Sequence, residues 1–323
     1  MKYRKLGRTG FDVSDVSYGL WGMSGWSGSD DQESLRSLQL SIDLGCNFFD
    51  TAWAYGDGKS DGLLGETMQR NPGKRLYAAS KIPPGNWQWP ALSTFKYSDV
   101  FSPQHVFKYA DLIRKQLQVD TIDVLQFHVW SDTWTDEPDF RSTVEKLKRD
   151  RWIRSFGISI NRWEPANGIL ALRTGLVDVV QVIYNIFDQA PEDELFPACD
   201  ELDVGVIARV PFDEGSLGGK MTLETRFPEG DWRAGYFGSE NLPKTIRRVE
   251  ELMKIVPAGM TLPEMALRFI LSNPTVSTTI AGMRKADHVR QNLTASDLGP
   301  LDKNLLAELK KHRWDRTPTR WSD

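Results

Sequence analysis

"YGLWGMSG", residues 18–25, follows the first apolar run of the chain, and its glycine spacing decides between two folds. Short β-branched runs recur near residues 16–19, 47–50, 75–80, 123–127, 155–159, 178–183, 204–208 and 276–280, with helical periodicity between them. Runs such as "DVVQVI" and "VGVIA" are nearly continuously apolar, which suits parallel strands covered on both faces. Eight strands alternating with helices in 323 residues build either a closed barrel or an open, doubly wound sheet. An open sheet that holds a dinucleotide carries G-x-G-x-x-G in its first strand-to-helix turn. Residues 18–25 lack that spacing, which favours an α/β fold of the (β/α)8 TIM barrel type.

The remaining segments fit one such domain over residues 1–323, with extra C-terminal helices. Residues 1–14, with Gly7 and Gly10 between short extended pieces, read as an N-terminal β-hairpin plugging the bottom of the barrel. Helix ends are marked. Ser102 caps a helix with Pro103 in its first turn and Val106, Ala110, Ile113 and Leu117 on one apolar face. Thr261-x-x-Glu264 reads as a capping box. Gly45 ends the first helix, and Pro191 opens one whose Leu195, Cys199 and Leu202 share a face. Segments 82–101, 129–136 and 211–240 follow strands, so a barrel places them on the catalytic face.

Composition narrows the function classes. Net charge is −4 with both signs mixed, and no basic run points to nucleic acid. The cluster of Lys146, Lys148, Arg149, Arg151 and Arg154 reads as an exposed helix end. Cys46 and Cys199 show neither metal-ligand nor disulfide-framework spacing. With a polar N-terminus and no long apolar run, a soluble cytoplasmic protein is expected, a monomer by default. Of twelve tryptophans, Trp26, Trp87, Trp89, Trp130, Trp134 and Trp232 fall in expected loops, where some should line a pocket.

The strand ends carry the chemistry. "NFFDTAWAYGDGKSDGLLGE" (47–66) ends a strand in Asp50 and sets Tyr55 just beyond; "RLYAASK" ends in Lys81 and "DVLQFH" in His128. In a barrel these ends meet at one rim. A phenol with a pKa of about 10 donates a proton poorly at neutral pH, and a neighbouring ammonium eases the transfer. Lys81 supplies that charge, Asp50 holds it, and His128 orients the substrate oxygen. Such a group protonates an oxyanion forming on a carbonyl, and the carbonyl must also receive a hydride from a reduced cofactor.

These motifs, with "SK" at 80–81 and "LQFH" at 125–128, resemble the aldo-keto reductase superfamily across nearly the whole chain. The resemblance implies a barrel that binds NADPH or NADP, with NADH as the alternative, and reduces an aldehyde or ketone. Asp50, Tyr55, Lys81 and His128 match the catalytic tetrad. For the cofactor it implies Gly19, Leu20 and Trp21 of "GLW" beside Asp50, with Ser159, Asn161 and Gln181 on the nicotinamide carboxamide. "ARVPFDEGSLGGK" supplies Arg209, Val210, Pro211 and Phe212 to the cofactor site and Gly215, Ser216 and Lys220 to the pyrophosphate, with Arg233 of "DWR" as a clamp. "IAGMRKADHVRQN" supplies Gly282, Arg284, His288, Gln291 and Asn292 for the adenosine, Arg284 facing a 2′-phosphate.

Arg209 departs from the pattern, because the family usually stacks an aromatic ring there. A guanidinium can stack too, and its charge would favour NADPH over NADP+; the other expectation turns Arg209 toward the pyrophosphate. The expected substrate pocket comprises Trp21, Trp53, Tyr55, Trp87, His128 and Trp130, with Trp232 at its edge. The tail either covers the mouth through Trp314 or Trp321 or packs as a plain terminus. Two other functions fit the same barrel: a cofactor-sensing binding protein like channel-associated relatives, and an NAD-dependent sugar or polyol dehydrogenase.

Overall fold

The computed structural model describes residues 1–25, 28 and 30–316; Trp26 and Trp321 lie outside them. Strands β1 (Tyr3–Lys5) and β2 (Asp12–Ser14) pair antiparallel. Eight parallel strands then close into a barrel: β3 (Val16–Gly19), β4 (Phe48–Asp50), β5 (Tyr77–Ile82), β6 (Ile122–Phe127), β7 (Ile153–Ser159), β8 (Val179–Ile183), β9 (Gly205–Arg209) and β10 (Val276–Gly282). Closure is made by β10 on β3, with Thr279 opposite Val16 and Gly282 opposite Gly19. The open-sheet alternative therefore falls. Observed strand ends lie close to the expected ones; β5 is displaced toward Ile82, so Lys81 sits inside the strand.

Side chains alternate across the barrel wall. Phe48, Tyr77, Ala79, Val124, Val179 and Ile207 point inward as an apolar lower layer, and Leu6, Phe11 and Val13 of the hairpin join it from below. The expected plug is present. Burying Leu6 and Phe11 contributes about 1.5–3 kcal/mol each. Arg4 and Arg8 fasten the hairpin by donating to the Val276 and Val177 carbonyls at 2.7 and 2.6 Å.

Outside the wall, helices cover the strands. Val106, Ala110, Ile113 and Leu117 of the helix Pro103–Leu117 are fully buried, and Ser102 Oγ accepts from the His105 N–H. Thr261 Oγ1 likewise accepts from the Glu264 N–H, but the Glu264 carboxylate pairs with Arg268 at 2.9 Å, so the expected box is half formed. Pro191 sits in a short 3-10 turn, Ala190–Glu192, and its helix begins later, at Leu195. Helices Ala286–Leu298 and Lys303–Lys310 end the chain's regular structure. The tail then packs on the loop after β8: the Trp314 N–H donates to the Phe187 carbonyl at 2.8 Å and Arg248 lies over its ring. Among the described residues no helix is long and apolar enough to cross a membrane.

Candidate active site

One layer above the apolar residues, the same inward positions become polar. Asp50 follows Phe48, Lys81 follows Ala79, Gln126 and His128 follow Val124, and Gln181 follows Val179, each at even spacing. The chain beyond β4 keeps running beside β5, with Thr51 N–H to Ala79 O at 2.8 Å and Trp53 N–H to Lys81 O at 3.2 Å. It then turns back, bringing Tyr55 over the barrel. The glycines of this stretch permit that turn. Gly56 and Gly58 have φ of +71° and +85°, and a Cβ would lie 2.4 Å from the Ser24 carbonyl oxygen at Gly56 and 2.7 Å from the Trp53 ring at Gly58.

Lys81 Nζ donates to Asp50 Oδ1 at 2.6 Å and to the Thr51 carbonyl at 2.7 Å, and both side chains are almost fully buried. Asp50 Oδ2 accepts from Gln181 Nε2 at 2.9 Å and Gln126 Nε2 at 3.4 Å. The pair is thus fully satisfied; removing one partner of a buried ion pair costs about 3–5 kcal/mol. The Lys81 ammonium also lies beside the Tyr55 hydroxyl, 5.2 Å from the ring centre. The His128 ring meets the Tyr55 ring edge-on at 5.8 Å, and its backbone N–H donates to the Ile82 carbonyl. Four side chains from the ends of three neighbouring strands, β4, β5 and β6, therefore converge.

Their protonation follows from the surroundings. Burial raises the Tyr55 pKa above the usual tyrosine value; Lys81 pulls it down, Asp50 adds to the rise, and Arg209 opposes it. Burial works against the Lys81 charge, yet Asp50 and Tyr55 hold its pKa above the lysine value. Burial, then Lys81 and Arg209, hold His128 well below the histidine value, so its imidazole is neutral at pH 7. His128 Nδ1 is buried with no hydrogen-bond partner among the described residues.

Trp87 is among the expected pocket residues and Trp89 among the expected loop tryptophans, whereas the sequence reading singles out neither Gln126 nor Asp61. Trp89 stands edge-on to His128 at 5.6 Å, with Trp87 edge-on to it at 5.8 Å. Gln126 shares its strand face with His128, a spacing that could have identified it. Asp61 is fully buried, accepts from Ser80 Oγ at 2.8 Å, and is pushed up to about 7 by burial. Among the expected pocket residues, Trp130 is corrected. Its indole is fully buried outside the wall against Phe140 and Trp134 and donates to Asp132. Trp21 is half-buried just after β3; Trp53 packs edge-on against Tyr109 at 5.6 Å; Trp232 is exposed beside Tyr236.

The expected cofactor residues divide similarly. Gly19 ends β3 and Leu20 follows it, its N–H donating to the Asp50 carbonyl at 2.9 Å. Ser159 sits directly across the ladder from Gln181, whose buried Oε1 has no partner among the described residues and can accept from a carboxamide. Asn161 turns away and donates to the Ala91 carbonyl at 3.1 Å. After β9, Val210, Pro211 and Phe212 lead into a strained turn: Val210, Asp213 and Glu214 have φ of +58°, +45° and +56°, and Gly215 follows at +106°. Such conformations cost about 1–3 kcal/mol each and collect at ligand sites. Ser216 needs correction as a phosphate contact, since it is fully buried and its hydroxyl donates to Asp213 at 2.6 Å. Arg233 is paired with Asp231 at 2.6 Å.

Arg284 lies across Gly22: a Cβ there would come within 3.0 Å of Arg284 Cδ. Gly282 ends β10 exposed. Lys220, Lys285 and Arg284 surround His288 closely enough to add to the lowering of its pKa that burial begins. Gln291 is exposed on the following helix, and Asn292 is buried. A basic cluster by a helix N-terminus, a left-handed loop and an open amide oxygen beside Asp50 fit a phosphate-bearing nicotinamide cofactor.

A closed parallel barrel with this charged layer at its C-terminal rim is the architecture of an oxidoreductase that binds its nucleotide without an open sheet. The Aldo/keto reductase family profile matches residues 15–313, and the chain belongs to that family. It is 28% identical over 317 residues to the uncharacterized oxidoreductase YqkF of Bacillus subtilis, covering 97% of this chain and 96% of that one. It is 26% identical over 330 residues to the NADH-specific methylglyoxal reductase of Escherichia coli, covering 96% and 98%. Its structure matches the holo form of an aldo-keto reductase from Bacillus halodurans with a TM-score of 0.75, at 25% identity over 100% of both chains.

Proposed function

We propose that the chain reduces an aldehyde or ketone to an alcohol with NADPH, and that Tyr55 supplies the proton. The observation that carries this reading is the buried Lys81 ammonium, fixed by Asp50 and lying beside the Tyr55 hydroxyl. Bound at the site, the reduced nicotinamide supplies a hydride to the carbonyl carbon. The carbonyl oxygen takes the proton as the Tyr55 O–H breaks, and Lys81 stabilises the phenolate left behind. Neutral His128 donates a hydrogen bond that orients the same oxygen. Gln181 offers its open amide oxygen to the carboxamide and so fixes the ring face presented to the substrate.

The cation group of Lys220, Arg284 and Lys285 supports NADPH over NADH, because a 2′-phosphate would neutralise it. Trp89 beside His128, with Trp87 against it, suits a carbonyl compound with a flat apolar face. A carbonyl panel run with each cofactor tests the reading. Wild type should turn over faster with NADPH, and Arg284→Gln should weaken NADPH at least about tenfold, the value of a lost charge-assisted contact, while leaving NADH unchanged. Equal loss for both cofactors would contradict the phosphate role.

A further inference from the structure

Strand parity puts one more charge inside the barrel than the tetrad accounts for. Ile207 belongs to the apolar lower layer, so Arg209, two residues on, projects from the same face of the wall one layer higher. Its Nη2 donates to the Ile160 carbonyl at 3.1 Å, and its Nε is buried with no partner among the described residues. The β8–β9 register sets Ile207 opposite Gln181 and Arg209 opposite Ile183. The guanidinium thus stands one layer above Gln181, whose Nε2 bonds Asp50 Oδ2 at 2.9 Å, and its charge acts on Tyr55, Asp50, Lys81 and His128. Glu214 is its chief countercharge. That residue comes from the left-handed turn after β9 and is held from behind by Arg162 Nη2 at 3.3 Å. Arg162 also faces Asp188 at 3.6 Å and Asp213 at 3.8 Å, and Arg316 from the tail meets Asp213 at 2.7 Å.

We propose that Arg209 is the second cation of the active site, a charge-setting residue that acts through Tyr55, with Glu214 as the countercharge that limits its strength. The proposal rests on Tyr55 as proton donor. When the Tyr55 O–H breaks and the carbonyl oxygen takes the proton, the phenolate faces two cations, Lys81 from β5 and Arg209 from β9. Stacking on a nicotinamide would depend on the flat shape of the side chain. Charge setting depends on its charge, so lysine should preserve it and glutamine should not.

The groups facing Tyr55 are Lys81, Asp50, His128 and Arg209; those facing Arg209 add Glu214 and Arg162. Reduction needs protonated Tyr55, so turnover falls as pH rises through its pKa. Removing a nearby cation raises that pKa and moves the falling limb to higher pH; removing the countercharge moves it lower. The test is kcat against pH at saturating cofactor for wild type, Arg209→Lys, Arg209→Gln and Glu214→Gln. Arg209→Gln should shift the limb up by about one unit, the lower end for a neighbouring charge, Glu214→Gln should shift it down, and Arg209→Lys should stay near wild type. Alcohol oxidation at one alkaline pH reads the same quantity, because it needs the phenolate: Arg209→Gln should be slower by about tenfold and Glu214→Gln faster. Arg209→Gln matching wild type in both assays, or the two neutral variants shifting in the same direction, would overturn the proposal. A wild-type chain that turns over no carbonyl would instead overturn the reductase reading beneath it.

Discussion

At the residue scale, the site is a set of buried charges whose protonation is fixed by neighbours. Asp50 and Lys81 are legible in the sequence because each ends or nearly ends an apolar strand, and strand ends of a barrel share a rim. Asp61 is not legible in this way. It sits on the helix Lys59–Gln69 and becomes unusual only because that helix buries it against Ser80. Its folded pKa, pushed up to about 7, exceeds the unfolded value of about 4. The folded state therefore binds more protons between those values, and stability present at low pH is lost as pH rises through about 7. Asp61→Asn keeps the acceptor for Ser80 and removes the charge. Thermal unfolding should show the variant gaining on wild type as pH rises from about 4 to 8, the window set by the two pKa values. A difference independent of pH would show that Asp61 does not titrate there.

At the element scale, alternation along each strand sorts the interior into an apolar lower layer and a polar upper one. The strands themselves were readable as short, nearly continuous apolar runs, and the hairpin from Gly7 and Gly10 between extended pieces; alternation then tells which side chains enter the barrel. It fails where a strand stops. Trp130 stands two residues after His128, yet β6 ends at Phe127, the chain turns, and parity no longer predicts the face. Ser216 was equally unreadable, since its hydroxyl is captured by Asp213 through a left-handed turn. The plug offers a clean separation of stability from chemistry. Leu6→Ala opens a cavity in the lower layer and should cost about 2–5 kcal/mol in denaturant unfolding. Its kcat should match wild type, because Leu6 touches the apolar layer rather than the tetrad. A large loss of kcat in the folded variant would mean that the two layers are mechanically coupled.

At the scale of the whole molecule, the neighbouring strands β4, β5 and β6 set Asp50, Tyr55, Lys81 and His128 side by side, and the curved barrel wall brings Gln181 of β8 and Arg209 of β9 over the same centre. The tail and the loop after β9 add a second charged tier, in which Arg316 and Arg162 share Asp213. No local pattern announces that tier, because each ion pair joins residues that only the closed fold makes neighbours. The central claim is that Tyr55 delivers the proton. The most direct measurement is turnover of a carbonyl substrate by Tyr55→Phe at saturating NADPH, with cofactor binding followed by tryptophan fluorescence. The account predicts unchanged cofactor affinity and a fall in kcat of about two to four orders of magnitude, the scale of general acid catalysis. A Tyr55→Phe enzyme that binds cofactor normally and turns over within a few-fold of wild type would contradict it.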